Sequence, residues 1–73
     1  MNQIDQQRKL GLLIKEKRLR KCLSQEGLAR ETGLTSMTIS RIELGSVMPA
    51  GHSLLILIKI LNIDVKDLLN VYF

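Results

Sequence analysis

The stretch that decides the fold is Gln25–Leu44, which reads QEGLARETGLTSMTISRIEL. Ser24 stands just before it, and a serine there can accept hydrogen bonds from the free N–H groups at the start of a helix. A first short helix is therefore predicted over Gln25–Thr32. Thr35 is a second capping residue, and it precedes a helix predicted over Ser36–Leu44. The segment thus contains two short helices separated by only a few residues.

The connection between these two helices has the residues that a tight crossing requires. Gly33 occupies the turn, where a positive φ is easiest for a residue without a Cβ. Ala29 is small enough for the two helices to approach each other. Apolar residues at helical spacing supply the inward faces, and they are Leu28, Leu34, Ile39 and Ile42. Two helices joined by a three- to four-residue turn with glycine form the helix-turn-helix pattern, whose second helix enters the DNA major groove.

The remaining chain is also helical in pattern. Helices are predicted over about Gln7–Lys21, about His52–Leu61 and about Val65–Asn70, with Asp64 capping the last one. No segment alternates with period two, although Leu69–Phe73 could form a short terminal strand. We therefore predict an all-α, compact five-helix DNA-binding domain that uses the whole chain of 73 residues.

The charge is concentrated in the first half of the chain. The net charge is +4, and residues 1–33 hold eight basic against four acidic residues, whereas three of each follow from residue 34 onward. A basic half suits a polyanion such as nucleic acid or an anionic membrane surface. The alternative interpretation of this charge is a soluble basic protein that has no such partner. Because Tyr72 and Phe73 are the chain's aromatic residues, aromatic stacking platforms for single strands are not expected.

Several function classes lack the residues they need. Cys22 is the one cysteine and His52 the one histidine, which leaves no disulfide and no structural zinc site. We interpret Cys22 as a buried small apolar residue. No signal peptide is recognisable over Met1–Asp5, and the most apolar run, Leu54–Ile63, is about half the length of a membrane span. With no catalytic set either, we expect a cytoplasmic protein that is not an enzyme and has no cofactor.

The chain resembles the phage repressor and Cro-like helix-turn-helix regulators, also called the xenobiotic-response-element family. The resemblance covers about Leu10–Leu69. The matching positions are Arg18, Leu23-Ser24-Gln25, Leu28-Ala29, Gly33, Thr38-Ile39-Ser40-Arg41-Ile42-Glu43, Gly45, Pro49, Leu54, Leu57, Leu61 and Asp67-Leu68-Leu69. The resemblance implies a five-helix domain that binds double-stranded DNA, usually as a two-fold dimer. It also implies an ion pair between Arg18 and Glu43.

Base contacts are expected from the face of the second helix that Ile39 and Ile42 leave exposed. Arg41 can form a bidentate pair with the O6 and N7 atoms of guanine, and Met37 can contact a thymine methyl group. The expected base-contact residues are Ser36, Met37, Ser40 and Arg41. Thr35 could equally be only a cap, and Ser40 only a solvated side chain. Arg41 could instead pair with an acidic neighbour.

Contacts with the DNA backbone are expected around this helix. The resemblance implies that Gln25 clamps a phosphate, assisted by the positive end of its helix. Thr35 and Thr38 can donate hydroxyl groups to phosphate, and Ser46, just past the second helix, is a weaker candidate.

The chain departs from the family in its excess of apolar residues. The run Leu54–Leu61 is apolar on nearly every face, and a 73-residue domain is not expected to enclose such a helix. Exposed apolar patches usually mark an interface, so we predict a homodimer formed by the last two helices and the C-terminal tail. Its expected interface residues are Leu55, Ile56, Ile60, Tyr72 and Phe73. Val71 adds to the same apolar excess.

Two classes of function remain open at this point. The first is a dimeric repressor that reads a palindromic operator with the helix at 36–44. The alternative is an antitoxin-like or partner-binding module, whose apolar surface docks another protein such as a toxin.

Overall fold

A computed structural model describes residues 3–73 of the chain. The helices are α1 (Gln3–Arg20), α2 (Gln25–Thr32), α3 (Ser36–Glu43), α4 (Gly51–Leu61) and α5 (Val65–Tyr72). The predicted all-α class with five helices is confirmed. Helix α1 begins four residues earlier than predicted, and the alternative of a strand over Leu69–Phe73 was wrong because α5 continues to Tyr72.

The capping residues act as the sequence predicted. Ser24 Oγ accepts a hydrogen bond from the Gly27 backbone N–H at 2.9 Å, at the start of α2. Thr35 Oγ1 does the same for the Thr38 N–H at 3.1 Å, at the start of α3. Gly33 has φ +77°, which is the left-handed conformation expected in the turn between them. Local hydrogen bonds therefore set where α2 and α3 begin and how the turn runs.

The core lies where α1 packs against α3, α4 and α5 while α2 packs against α3 and α4. Every helix contributes apolar side chains to it. The buried apolar residues are Leu10, Ile14, Leu28, Ala29, Ile39, Ile42, Leu57, Leu61, Ile63 and Val71. Helix α3 is thus held from behind by α1 and α2, and its other face is left to solvent.

The C-terminal end of α3 lies unusually close to α1. A Cβ at Gly11 would collide with the Ile42 carbonyl oxygen and lie 2.7 Å from the Glu43 carbonyl oxygen. After α3, Gly45 has φ +77° and packs against the backbone of Arg8, where an added Cβ would lie 3.0 Å from the Cα. The two glycines allow the α1 backbone to contact the end of α3 directly, so α1 sets the position of α3.

The prediction that Cys22 is buried was wrong. Cys22 follows α1 with φ +57°, and its side chain is exposed. A residue in this left-handed conformation ends a helix, and glycine is the usual choice there because it has no Cβ. The position is therefore selected by backbone geometry and not by packing.

As expected, the domain does not enclose α4 on every face, although it covers more of this helix than its apolar run predicted. Leu57 and Leu61 are buried, while Leu54, Ile58 and Ile60 are partly buried against the core. On this helix only Leu55 is an exposed large apolar residue, with 67% of its surface accessible. Val71, also counted as excess, is 4% exposed and belongs to the core. No helix within residues 3–73 has both the length and the apolar character that crossing a bilayer requires.

Candidate nucleic-acid interface

Helix α3 has one buried face and one outward face. Ile39 and Ile42 are almost completely buried. Ser36, Met37 and Arg41 are exposed, and Ser40 is half-buried between the two faces. Three of the four residues predicted to contact bases thus lie on the outward face of α3, and Ser40 lies at its edge.

Two long side chains dominate the outward face of α3. Met37 has 61% of its surface exposed, although it is apolar. Arg41 is exposed, and within residues 3–73 its guanidinium has no hydrogen bond or ion pair. No acidic side chain in this part of the chain pairs with Arg41, contrary to the alternative interpretation. Its five N–H donors remain available to a ligand.

The two threonines at the start of α3 are coupled to each other. Thr35 Oγ1 donates to Thr38 Oγ1 at 2.9 Å while accepting from the Thr38 backbone N–H. This leaves the Thr38 hydroxyl hydrogen without an acceptor among the described residues. Thr35 acts as the cap, and Thr38 is the hydroxyl better able to donate to a phosphate.

Gln25 lies at the first position of α2, but its side chain already has a partner. Its Nε2 atom donates to Glu43 Oε1 at 3.1 Å. An amide nitrogen carries two hydrogens, so one donor of Gln25 remains for a phosphate. The hydrogen bond to Glu43 holds the amide in one place at the positive end of α2.

The predicted Arg18–Glu43 ion pair is confirmed, and it lies beneath Gln25. Arg18 Nε donates to Glu43 Oε2 at 2.6 Å, and Arg18 Nη2 donates to Glu43 Oε1 at 3.0 Å. A third donor, Arg18 Nη1, reaches the Leu23 carbonyl oxygen at 2.8 Å. The hydrogen bond with Glu43 raises the pKa of Arg18 above its ordinary value, against the lowering effect of burial. The Arg18 guanidinium therefore keeps its positive charge, and the pair joins α1 to the end of α3.

Ser46 lies beyond α3 on an exposed loop. Its backbone N–H donates to the Arg41 carbonyl oxygen at 2.9 Å, across Gly45 in the left-handed conformation. This bond places Ser46 next to the last turn of α3. The side chain itself has no partner in the described part of the chain.

The residues predicted at the dimer interface have different environments. Leu55 and Phe73 are exposed, at 67% and 94%, whereas Ile56 is half-buried. Ile60 and Tyr72 pack against the core, and the Tyr72 hydroxyl donates to Met48 Sδ at 3.7 Å. They retain little surface for a partner.

On α5 the structure leaves two apolar residues exposed that the sequence analysis did not assign to the interface. Val65 and Leu69 of α5 are 67% and 50% accessible, and Phe73, directly after the helix, continues their four-residue spacing. That spacing places them on one face of a helix. The signal was present in the sequence, but the apolar run in α4 masked it.

Comparison with known proteins agrees with this geometry. A family model described as helix-turn-helix matches residues 14–68. The ImmF control region 10 kDa protein of Bacillus phage phi105 is 36% identical over 61 residues, which cover 84% of this chain and 68% of that protein. Both matches include α2, the turn and α3. The chain therefore belongs to the helix-turn-helix family and is a DNA-binding transcriptional regulator of the phage repressor and Cro-like type, not an enzyme.

Proposed function

We propose that this protein is a dimeric repressor that reads a palindromic operator by inserting α3 into the major groove. The observation that carries the proposal is the outward face of α3, where Arg41 is exposed and unpaired among the described residues. The name of the phage relative refers to a control region, which supports regulation as the outcome of binding. We further propose that residues 1–73 act as one domain, in the cytoplasm.

In this proposal the residues of α3 read the bases. Arg41 makes the bidentate contact with guanine, because its fork of donors matches the O6 and N7 acceptors. Ser36 and Ser40 can donate or accept, and Met37 offers an apolar contact. The first residues of α3 lie deepest in the groove, as in other helix-turn-helix proteins.

The backbone contacts surround this helix. The free amide hydrogen of Gln25 is directed to a phosphate at the N-terminus of α2, where the helix dipole favours an anion. Thr38 donates its hydroxyl on one side of α3, with Thr35 as the cap that orients it. Ser46 donates on the other side, from the loop that follows.

A selection from random duplex DNA tests whether α3 reads the bases. The expected result is a two-fold symmetric motif whose binding weakens steeply as the logarithm of salt concentration rises. Arg41→Ala should lose about 1–3 kcal/mol of discrimination at one base pair in each half-site. Arg30→Ala, which removes an exposed arginine of α2, is the matched control and should leave the motif intact. An unchanged motif with Arg41→Ala would refute the assignment of α3 as the reading helix.

The dimer is proposed to form through an apolar stripe on α5. Val65 and Leu69 expose two large side chains on one face of α5, Phe73 exposes a third directly after the helix, and Leu55 of α4 exposes a fourth. Ile56 is a lesser contributor, and the small exposed parts of Ile60 and Tyr72 lie at the margin. Burial of such a surface against a second copy is favourable at about 25 cal/mol per Å².

Sedimentation measures this proposal directly. The wild-type chain is expected to sediment as a dimer at micromolar concentration, and Leu69→Asp as a monomer. Leu12→Asp is the control, because Leu12 is 63% exposed on α1 but lies outside the stripe. A wild-type monomer at this concentration is incompatible with the dimer.

A second surface favours the alternative function, an antitoxin-like or partner-binding module. Ile4, Leu12 and Leu19 are more than half exposed along α1, and Leu44 at the end of α3 is 73% exposed. A protein partner such as a toxin would cover this surface while α3 still reaches DNA. The test is co-expression with the product of the adjacent gene. Co-purification that Leu12→Asp abolishes favours the module, and repression of the operator by the chain alone favours the repressor.

A further inference from the structure

We propose that Met37 reads a methyl group and not a particular base, so that thymine and 5-methylcytosine are equivalent at one position of each operator half-site. This inference rests on the proposed function, because it requires α3 to lie in the major groove. Its consequence is that binding responds to methylation of cytosine at the C5 position. Such a response would make the operator sensitive to DNA modification.

The first support is the character of the α3 surface. Met37 is 61% exposed, and it is the only large apolar side chain among the four residues proposed to face the bases. The others are Ser36, Ser40 and Arg41, which act by hydrogen bonding. The long and polarisable thioether chain of methionine suits contact with a methyl group.

The second support is what Met37 cannot distinguish. Thymine presents an O4 acceptor and a C5 methyl group in the major groove, whereas cytosine presents an N4 donor. Methionine has no hydrogen-bond donor and only a weak sulfur acceptor, so it does not read the O4 or N4 position. The neighbouring serine hydroxyls can donate to O4 or accept from N4. The methyl group is therefore the feature that the side chain recognises.

The third support is the position of Arg41, one helical turn after Met37. Four residues correspond to about 6 Å along a helix, and successive base pairs are about 3.4 Å apart. Arg41 is free to contact a guanine. The methylated pyrimidine should thus lie within about two base-pair steps of the guanine whose recognition depends on Arg41.

The experiment starts from the selected operator. Each pyrimidine within two steps of that guanine is replaced in turn to give four duplexes, with thymine, uracil, 5-methylcytosine or cytosine. At one position, wild-type protein should bind thymine over uracil and 5-methylcytosine over cytosine, each by about fourfold per half-site, the value of one buried methyl group. With Met37→Ala both ratios should fall to one. Leu12→Ala, which shortens a similarly exposed side chain on α1, should keep both ratios.

The possible outcomes distinguish a failure of this inference from a failure of the proposed function. Failure to select any motif removes the proposed function itself. A selected motif in which uracil binds as well as thymine overturns the inference alone. A methyl preference that persists in Met37→Ala assigns the contact to another residue and also overturns it. Discrimination of uracil without a preference for 5-methylcytosine over cytosine refutes the equivalence of the two methylated bases.

Discussion

Replacing Gly11 with alanine should destabilise the protein, although Gly11 lies inside a helix where alanine is normally favourable. The added Cβ would meet the carbonyl oxygens of Ile42 and Glu43, and its distance of 2.7 Å from the Glu43 oxygen is about 0.7 Å short of ordinary contact. Neither obstacle is a side chain that can rotate away. Helix α1 would have to move away from the end of α3.

The magnitude follows from two opposing effects. Overpacking costs about 1–3 kcal/mol, and rigid backbone obstacles favour the upper end of that range. The higher helix propensity of alanine returns about 1 kcal/mol. The free energy of unfolding should therefore fall by about 2 kcal/mol, which corresponds to roughly 8–16 °C in Tm for a domain of this size.

Gly27→Ala is the matched control, because Gly27 also lies inside a helix. There the Cβ would lie 3.2 Å from Ser24 Oγ and 3.5 Å from Leu23 Cδ2, which are side-chain atoms that can shift slightly. Gly27→Ala should therefore change stability by less than about 1 kcal/mol, because the higher helix propensity of alanine is offset by crowding of the Ser24 cap. Urea unfolding followed by circular dichroism measures both variants. Equal or greater stability of Gly11→Ala would refute the close contact between α1 and α3.

Three further substitutions test other contacts by the same unfolding measurement. Arg18→Met should lower the free energy of unfolding by about 3–5 kcal/mol, because it leaves the buried carboxylate of Glu43 without its cation. Adding Glu43→Leu should recover most of this loss. Additive effects of the two substitutions would contradict the pairing. Cys22→Gly should raise stability by about 1 kcal/mol, since φ +57° is strained for a residue with a Cβ; a loss would indicate that the thiol packs. Ser24→Ala should cost about 1 kcal/mol through loss of the cap on α2, and no change would mean that water replaces it.

The central motif was predictable because its signals are local. Ser24 and Thr35 each cap the helix that starts at the next residue, and Gly33 adopts the turn conformation because it has no Cβ. Each of these effects involves residues no more than a few positions apart. The Arg18–Glu43 pair was also anticipated, but from the family resemblance, since the residues are 25 positions apart.

The apolar residues were harder to assign from sequence. Leu54–Leu61 was expected to exceed the capacity of so small a domain, and α4 is indeed covered only in part, with Leu55 exposed and Ile56 half-buried. Which faces of a helix are covered depends on how many neighbours surround it, and the apolar pattern of one segment does not contain that information. The four-residue spacing of Val65 and Leu69 is visible in the sequence, but packing decides that their side chains stay exposed.

By itself, the sequence determined a five-helix domain with a helix-turn-helix at α2 and α3, because capping, turn formation and amphipathic spacing act over a few residues. Only the tertiary structure decided how α3 is held. Gly11 allows the end of α3 to pack directly against α1, and Glu43 joins Arg18 to the amide of Gln25. These contacts join residues 18 to 32 positions apart, so they exist only once the helices have packed together.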